Sequence, residues 1–190
     1  MRSHPWSGSA TDPRAQYLDL RASPALVRTA LEDFVPWSAE PAVQRFYTLL
    51  EWINGASLLL ESNDCSFSPP ERDANATTSS QAFECSGRLM ILFRDLGRNV
   101  PGDVEWPRFT RSLHEALARL DRSFELGLIG TTLVPVRYRA LASPAHAGEG
   151  LQLMLSFWAW GRTEARCMTS LSRVFESLAT ALREVVSAWR

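Results

Sequence analysis

The chain has 190 residues, which is enough to bury one hydrophobic core and too few for two ordinary domains. Its formal net charge of −1 leaves no global field that would attract nucleic acid or an anionic membrane surface. All 20 basic residues are arginine, and the lack of lysine excludes Schiff-base catalysis and Walker-type phosphate loops, because both need a lysine amine.

The first residues differ in composition from the rest of the chain. Residues 1–16 are rich in serine, proline and small residues without periodicity, so we expect a mobile tail before a single domain at 17–190. Two helices are predicted over residues 23–34 and 38–53, because apolar side chains recur at helical spacing in both. They are two additional N-terminal helices that precede the remaining elements.

A first β-hairpin is predicted in the middle of the chain. One strand is expected at residues 57–61 and a second at 87–95, where apolar residues alternate. Residues 66–82 between them contain two prolines and many small polar residues, which predicts a long surface loop. Cys65 and Cys85 could face each other across this hairpin, although buried free thiols fit a reducing cytoplasm better.

The second half of the chain repeats this order of elements. A helix is predicted from about Pro107, followed by a hairpin of strands at residues 130–141 and 150–160. Pro135 places the first of these strands at a sheet edge or at a bulge. The last helix begins behind Thr163 as its N-cap and keeps an apolar face to the end of the chain.

Two segments of the chain are similar to each other. Residues 88–99 (RLMILFRDLGRN) and 152–163 (QLMLSFWAWGRT) share a Leu-Met pair, a phenylalanine and a Gly-Arg pair at the same spacing. Chance similarity between two amphipathic strands is the alternative explanation. A true repeat predicts an α+β fold in which an antiparallel sheet of four or more strands is built from two β-β-α units, with the helices packed on it.

The sheet face away from the helices is predicted to combine aromatic and basic side chains. Because side chains alternate along a strand, Trp158 and Trp160 share a face, as do Arg137 and Arg139, and the second strand adds Arg94. We predict that these five residues belong to a binding surface. Two interpretations stay open: the N-terminal helices cover this face, or it is exposed to a partner, because Trp and Arg dominate interface hot spots.

Glu61 and Asp64 complete the predicted binding residues. They belong to a polar segment after the first strand, which forms either a turn or a recognition loop for a basic partner. Together with Glu84 and Asp95 they could instead converge on Mg²⁺. No catalytic, metal or cofactor-binding set is predicted, because the chain lacks a nucleophile elbow, a dinucleotide fingerprint and any histidine or cysteine pair at metal-ligand spacing.

These observations favour a non-enzymatic bacterial protein that binds another protein in the cytoplasm, with an immunity or inhibitor protein that neutralises a cognate toxin as the concrete candidate. One alternative is an enzyme that uses the acidic residues of the first hairpin as a metal-dependent hydrolase, or Cys65 or Cys85 as nucleophile. Another is a nucleic-acid-binding domain. No membrane association is expected, since no apolar run reaches the roughly 18 residues of a span. A homodimer through a free strand edge stays open.

Overall fold

The computed structural model describes residues 3–6, 24–29, 31–72, 81–120, 126–140 and 143–189. Within these ranges the fold is α+β, as predicted, with five strands in one antiparallel sheet of order β1-β4-β5-β3-β2. The strands are β1 (Ser3–Trp6), β2 (Leu60–Arg72), β3 (Phe83–Phe93), β4 (Gly127–Ala140) and β5 (Ser143–Gly161). The helices are α1 (Pro41–Ile53), α2 (Glu105–Leu120) and α3 (Glu164–Ala188), with short 3₁₀ helices at Pro24–Arg28, Val35–Trp37 and Leu96–Asn99.

The N-terminal part of the chain differs from its prediction. No continuous helix covers residues 23–34: the described part of that range holds the 3₁₀ helix Pro24–Arg28. Ser3–Trp6 pair with β4, although they belong to the segment predicted as a mobile tail. Residues 1–2 and 7–16 of that segment lie outside the described residues. A short strand on a sheet edge draws its stability from the strand beside it, and a sequence pattern does not contain that information.

Strand β2 is the main correction to the predicted elements. It runs from Leu60 to Arg72 and takes up most of the described part of the segment that was predicted as a loop. Pro69 and Pro70 are tolerated because β2 lies at the edge of the sheet, and its register with β3 shifts between Ser68 and Glu71. Prolines in sheets occur at such edges and bulges, where their missing N–H leaves no ladder bond unmade.

The described helices lie on one face of the sheet. Phe157 of β5 packs against Phe46 of α1 and Phe175 of α3, with ring centroids 5.9 and 4.8 Å apart. Helix α2 reaches the same face, because His114 Nε2 lies 2.6 Å from the hydroxyl of Thr131 in β4. Helix α1 therefore does not cover the opposite face, which we call the open face.

Glycine at position 87 allows this packing. A Cβ atom there would lie 2.3 Å from the carbonyl oxygen of Ser66 and 2.5 Å from Cζ of Phe157. Both distances are shorter than a van der Waals contact, so a larger residue would push the Phe157 ring out of the core. The ring instead lies against the backbone of β3 and joins the aromatic residues of α1 and α3.

Candidate functional site: the open face of the sheet

Strand register brings apolar and aromatic residues together on the open face. Directly opposed residues in antiparallel strands share a face, and Trp158 is opposed to both Ser86 of β3 and Leu128 of β4. Met154 is opposed to Met90, and Trp160 extends the row in β5. The open-face cluster is defined by these apolar residues: Met90, Leu128, Met154, Trp158 and Trp160.

The cluster is partly open to solvent and held in place by its neighbours. Leu128 is 51% exposed, and the two tryptophans are half-buried. The Trp158 ring covers Gly130, whose added Cβ would lie 3.3 Å from Cζ3 of the indole. Trp160 donates its indole N–H to Oε2 of Glu84 at 2.8 Å. The two indoles therefore present fixed apolar surface, which costs little conformational entropy when a partner binds.

Charged residues flank the cluster on the side of β2. Arg88 donates from Nε and Nη2 to Oδ2 of Asp64, at 3.2 and 3.0 Å. Asp64 is opposed to Met90 in the β2–β3 register, so the ion pair borders the cluster directly. Both side chains are substantially exposed, and such a pair contributes little to stability while adding polar groups at the margin of the surface.

Arg94 and Glu61, two predicted binding residues, lie together beside the Met90 end of the cluster. Their side chains are almost fully buried, with Nε and Oε2 4.0 Å apart, and Arg94 also donates from Nη1 to the carbonyl oxygen of Ala56 at 2.8 Å. Glu61 is opposed to Leu92, which is two residues along β3 from Met90 and eight from Glu84, so the pair lies next to the Met90 end of the cluster and about 25 Å from its Trp160 end. Their environment is that of a buried ion pair that joins β2 to the end of β3.

Arg137 and Arg139 occupy positions that alternate with those of the cluster. They are opposed to Glu149 and Ala147 of β5. Along β4 their positions are an even number of residues from Leu133 and an odd number from Leu128, so they belong to the strand face of Leu133. Register thus does not place them with Trp158, and the predicted set of seven residues is divided among separate parts of the sheet. A strand with apolar residues at both odd and even positions does not reveal which phase faces the helices.

The acidic residues considered as a magnesium site do not converge. Glu84 accepts the Trp160 indole N–H at one end of β3, whereas Asp95 accepts the Gly97 N–H at 3.1 Å beyond the other end. Eleven residues of nearly extended chain separate them by about 35 Å. Across the described ranges, no three His, Cys, Asp or Glu side chains are grouped in a way that could hold a metal ion.

The structure forms a cysteine pair that was not predicted. Cys65 is opposed to Leu89 and Cys85 to Ala159, so these two do not face each other across the hairpin. Cys85 Sγ instead lies 3.3 Å from Sγ of Cys167 in α3. The two positions are 82 residues apart, and no spacing rule could have joined them. Burial raises the pKa of the Cys65 thiol to about 12, which makes it a poor nucleophile.

A groove of about 490 Å³ lies between the N-terminal ends of α1 and α3, and Trp37 and Met168 are among its lining residues. Its acidic residues, Glu40 and Glu164, stand at the starts of the two helices, where carboxylates complement the helix dipoles. None of the seven predicted binding residues lines this groove.

No protein-family model matches this chain, and neither a curated protein nor a solved structure shows significant similarity to it. Within the part of the chain that the structure describes, no helix has the length and hydropathy needed to cross a bilayer.

Proposed function

We propose that the chain is a non-enzymatic, cytoplasmic protein-interaction domain whose open-face cluster is the binding surface. The observation that carries the proposal is the cluster itself, in which fixed tryptophans lie beside a half-exposed leucine, Leu128. Trp and Met are enriched at the centres of protein interfaces, and tryptophan is among the residues whose truncation costs most binding energy.

The surroundings of the cluster agree with an interface of this kind. Arg88, Asp64 and Glu84 border it, which gives an apolar centre with a polar rim. Arg88 is paired with Asp64, and Arg94 lies beside Glu61, so these arginines carry little uncompensated positive charge toward a nucleic-acid backbone. A protein partner therefore fits the surface better than a nucleic acid does.

Within this class, we propose an immunity or inhibitor protein that neutralises a bacterial toxin. The support is the size of the domain and the dispersal of its acidic side chains, which argues against a catalytic group of carboxylates. Co-expression with the product of a neighbouring toxin-like gene tests this directly. Protection of growth by the wild-type chain is expected, and growth arrest despite folded wild-type protein would exclude the immunity role.

The binding surface is tested by Leu128→Glu, with Val104→Glu as the matched control. Val104 is 73% exposed and lies just before α2, so both changes put a carboxylate in place of an exposed aliphatic side chain. Affinity purification of the tagged chain from its native cells is expected to recover one stoichiometric partner. Titration calorimetry should then show that Leu128→Glu lowers the affinity for the partner by roughly tenfold or more, because an unpaired charge is desolvated in the interface. The affinity of Val104→Glu should be unchanged.

Two results would contradict this assignment. Recovery of no stoichiometric partner would remove the interaction function, and equal affinity of the two glutamate variants would move the binding surface elsewhere. Far-ultraviolet circular dichroism and thermal melting of each variant establish beforehand that neither substitution unfolds the domain, since exposed substitutions normally change stability by less than about 0.5 kcal/mol.

We also propose that β2-β3-α2 and β4-β5-α3 are two copies of one β-β-α unit. The order of elements is the same in both, and Met90 and Met154, which hold matching places in the two similar segments, are opposed in the sheet. An alignment of relatives of this chain tests the duplication: the two halves should share apolar positions across many sequences. Similarity confined to this one chain would favour chance.

A further inference from the structure

Two buried thiols meet between the sheet and helix α3. Cys85 lies on the helix-facing side of β3, and Cys167 lies in the first turn of α3. The sulfur atoms are 3.3 Å apart, and Cys167 Sγ is also 3.3 Å from the carbonyl oxygen of Ala159. Their exposed fractions are 1% and 0%, so the pair is enclosed by the core.

Close backbone packing at Gly161 holds Cys167 beside β3, where Cys85 lies. A Cβ atom at Gly161 would lie 2.2 Å from the backbone nitrogen of Cys167, which means that the first turn of α3 rests directly on the end of β5. Thr163 caps the same turn by accepting the N–H of Arg166 at 3.2 Å. Because backbone contacts hold the turn, Cys167 is positioned against β3 by the fold and not by a flexible loop.

We propose that Cys85 and Cys167 are a redox-reactive pair that closes to an intramolecular disulfide on reaction with hydrogen peroxide. The inference is independent of the partner-binding function. A disulfide needs a sulfur–sulfur distance of about 2.05 Å, so the two atoms must approach by roughly 1.3 Å, which side-chain rotation can supply. Peroxide is close to water in size, and the local opening that native proteins undergo is the route by which it would enter.

The reaction proceeds in two steps that balance. The Cys167 thiolate attacks one peroxide oxygen; the O–O bond breaks, and after protonation the products are Cys167 sulfenic acid and one water. The Cys85 sulfur then attacks the Cys167 sulfur. The S–O bond breaks, the Cys85 proton leaves with the hydroxide as a second water, and the disulfide remains. Two thiols are oxidised by two electrons, and one peroxide is reduced to two waters.

The environment of each sulfur fits its role in these steps. The hydrogen bond between the two thiols lowers the pKa of Cys167, against the opposing effect of burial, and together with burial raises that of Cys85, because one S–H stabilises the neighbouring thiolate while the second ionisation is suppressed. Cys167 also lies near the N-terminus of α3, where the helix dipole favours a thiolate. Cys167 is therefore the attacking residue, and Cys85 resolves it after oxidation has removed the Cys167 thiolate that suppressed the second ionisation.

The bond would join β3 to α3, the longest of the described helices. It would join residues that are 82 positions apart, and a cross-link over such a separation removes much of the freedom of the unfolded chain. The expected rise in Tm on oxidation is roughly 10 °C for a domain of this size.

Peptide mapping of the oxidised full-length protein tests the proposal. Since the chain has no lysine, trypsin cleaves only after arginine, and the three cysteines fall in separate peptides, 46–72, 73–88 and 167–173. Peroxide treatment is expected to remove two hydrogen atoms from the intact mass and to join peptide 73–88 to peptide 167–173. Dithiothreitol should release both peptides and reverse the rise in Tm.

Matched serine variants complete the test. Cys65→Ser should keep the linkage and the rise in Tm, whereas Cys167→Ser should lose both. The proposal is overturned if Cys85 and Cys167 stay alkylatable after peroxide, if they are oxidised separately to sulfinic acids, or if Cys65 carries the linkage. The wild-type peptide map gives this answer even if a variant fails to fold.

Discussion

Asn99 is a buried polar residue whose side chain joins three parts of the fold. Its amide accepts the N–H of Phe93 at 3.0 Å and donates to the carbonyl oxygen of Phe93 at 2.8 Å. The same Oδ1 accepts the indole N–H of Trp106 at 3.2 Å. The short 3₁₀ helix is thereby fastened to the end of β3 and to the start of α2. A buried amide is tolerated where its oxygen and its nitrogen are both hydrogen-bonded.

Substitution of Asn99→Ala is expected to lower the free energy of unfolding by roughly 3 kcal/mol, since the N–H and carbonyl groups of Phe93 would be buried without that partner. Urea denaturation followed by tryptophan fluorescence measures the change. Val100→Ala is the control, because Val100 is half-exposed and its truncation should cost less than about 0.5 kcal/mol. Equal losses of unfolding free energy in the two variants would show that the Asn99 hydrogen bonds do not stabilise the fold more than an exposed valine does.

Close backbone packing between β5 and α3 governs stability at the scale of elements. Gly161 at the end of β5 leaves no room for a side chain, as the nearest atoms to an added Cβ are backbone atoms of Arg166 and Cys167 at 2.2 to 2.7 Å. Helix α3 is the longest element and packs on both the sheet and the other two helices. A displacement of its first turn would therefore propagate through the core.

Gly161→Ala is expected to destabilise the domain by roughly 3 kcal/mol or more, because the backbone of α3 must move to accept the methyl group. Gly130→Ala is the control within the same sheet. Its Cβ would meet the edge of the Trp158 ring at 3.3 Å, and a side chain can yield where a helix backbone cannot. Thermal melting of both variants gives the comparison. A Gly161→Ala protein with the same Tm as the wild type would contradict the close packing of the α3 backbone on Gly161.

At the scale of the whole molecule, Glu105 in α2 connects the C-terminal end of α3 with the 3₁₀ helix Leu96–Asn99. This side chain accepts from Arg98 at 2.6 Å and from the indole N–H of Trp189 at 3.0 Å, so one carboxylate joins three segments. The hydrogen bond from Arg98 lowers the pKa of Glu105 below its ordinary value, and the bond from Trp189 adds to the effect against the opposing influence of burial. Both donors stabilise the ionised carboxylate.

Whole-molecule stability should accordingly depend on Glu105 at acidic pH. A carboxylate with a depressed folded-state pKa contributes stability that is complete above the unfolded pKa, about 4.3, and is lost as pH falls through the lower folded value. The difference in unfolding free energy between wild type and Glu105→Gln should be constant from pH 7 to about pH 5 and shrink below about pH 4. Urea titrations across this range measure it, and a difference that grows with acidity would refute the assignment.

Local patterns predicted the elements that are regular and long. Strand β3, strand β5 and helix α3 follow from alternation or helical spacing, and Thr163 was correctly identified as the N-cap of α3. The local patterns failed for β2, because its structure depends on its position at the edge of the sheet. Prolines at 69 and 70 indicated a loop, yet an edge strand tolerates them because one side of its backbone needs no partner.

The predicted binding residues do not form one surface, and the sequence pattern missed this for a related reason. Trp158 and Trp160 were correctly grouped, since residues two apart in one strand share a face. Arg94 and Glu61 had to be located through strand register, and the phase of β4 decided the positions of Arg137 and Arg139. Register depends on pairing between distant segments, which a linear pattern does not contain.

The amino-acid sequence by itself determined the α+β class, the antiparallel hairpins and the amphipathic helix α3, because these depend on side-chain periodicity within a few turns or strand positions. Tertiary structure alone decided which sheet face the helices leave open and that Cys85 meets Cys167. Those outcomes arise from packing of segments far apart in the chain. The free energy of such packing is a property of the whole core, so no single stretch of residues encodes it.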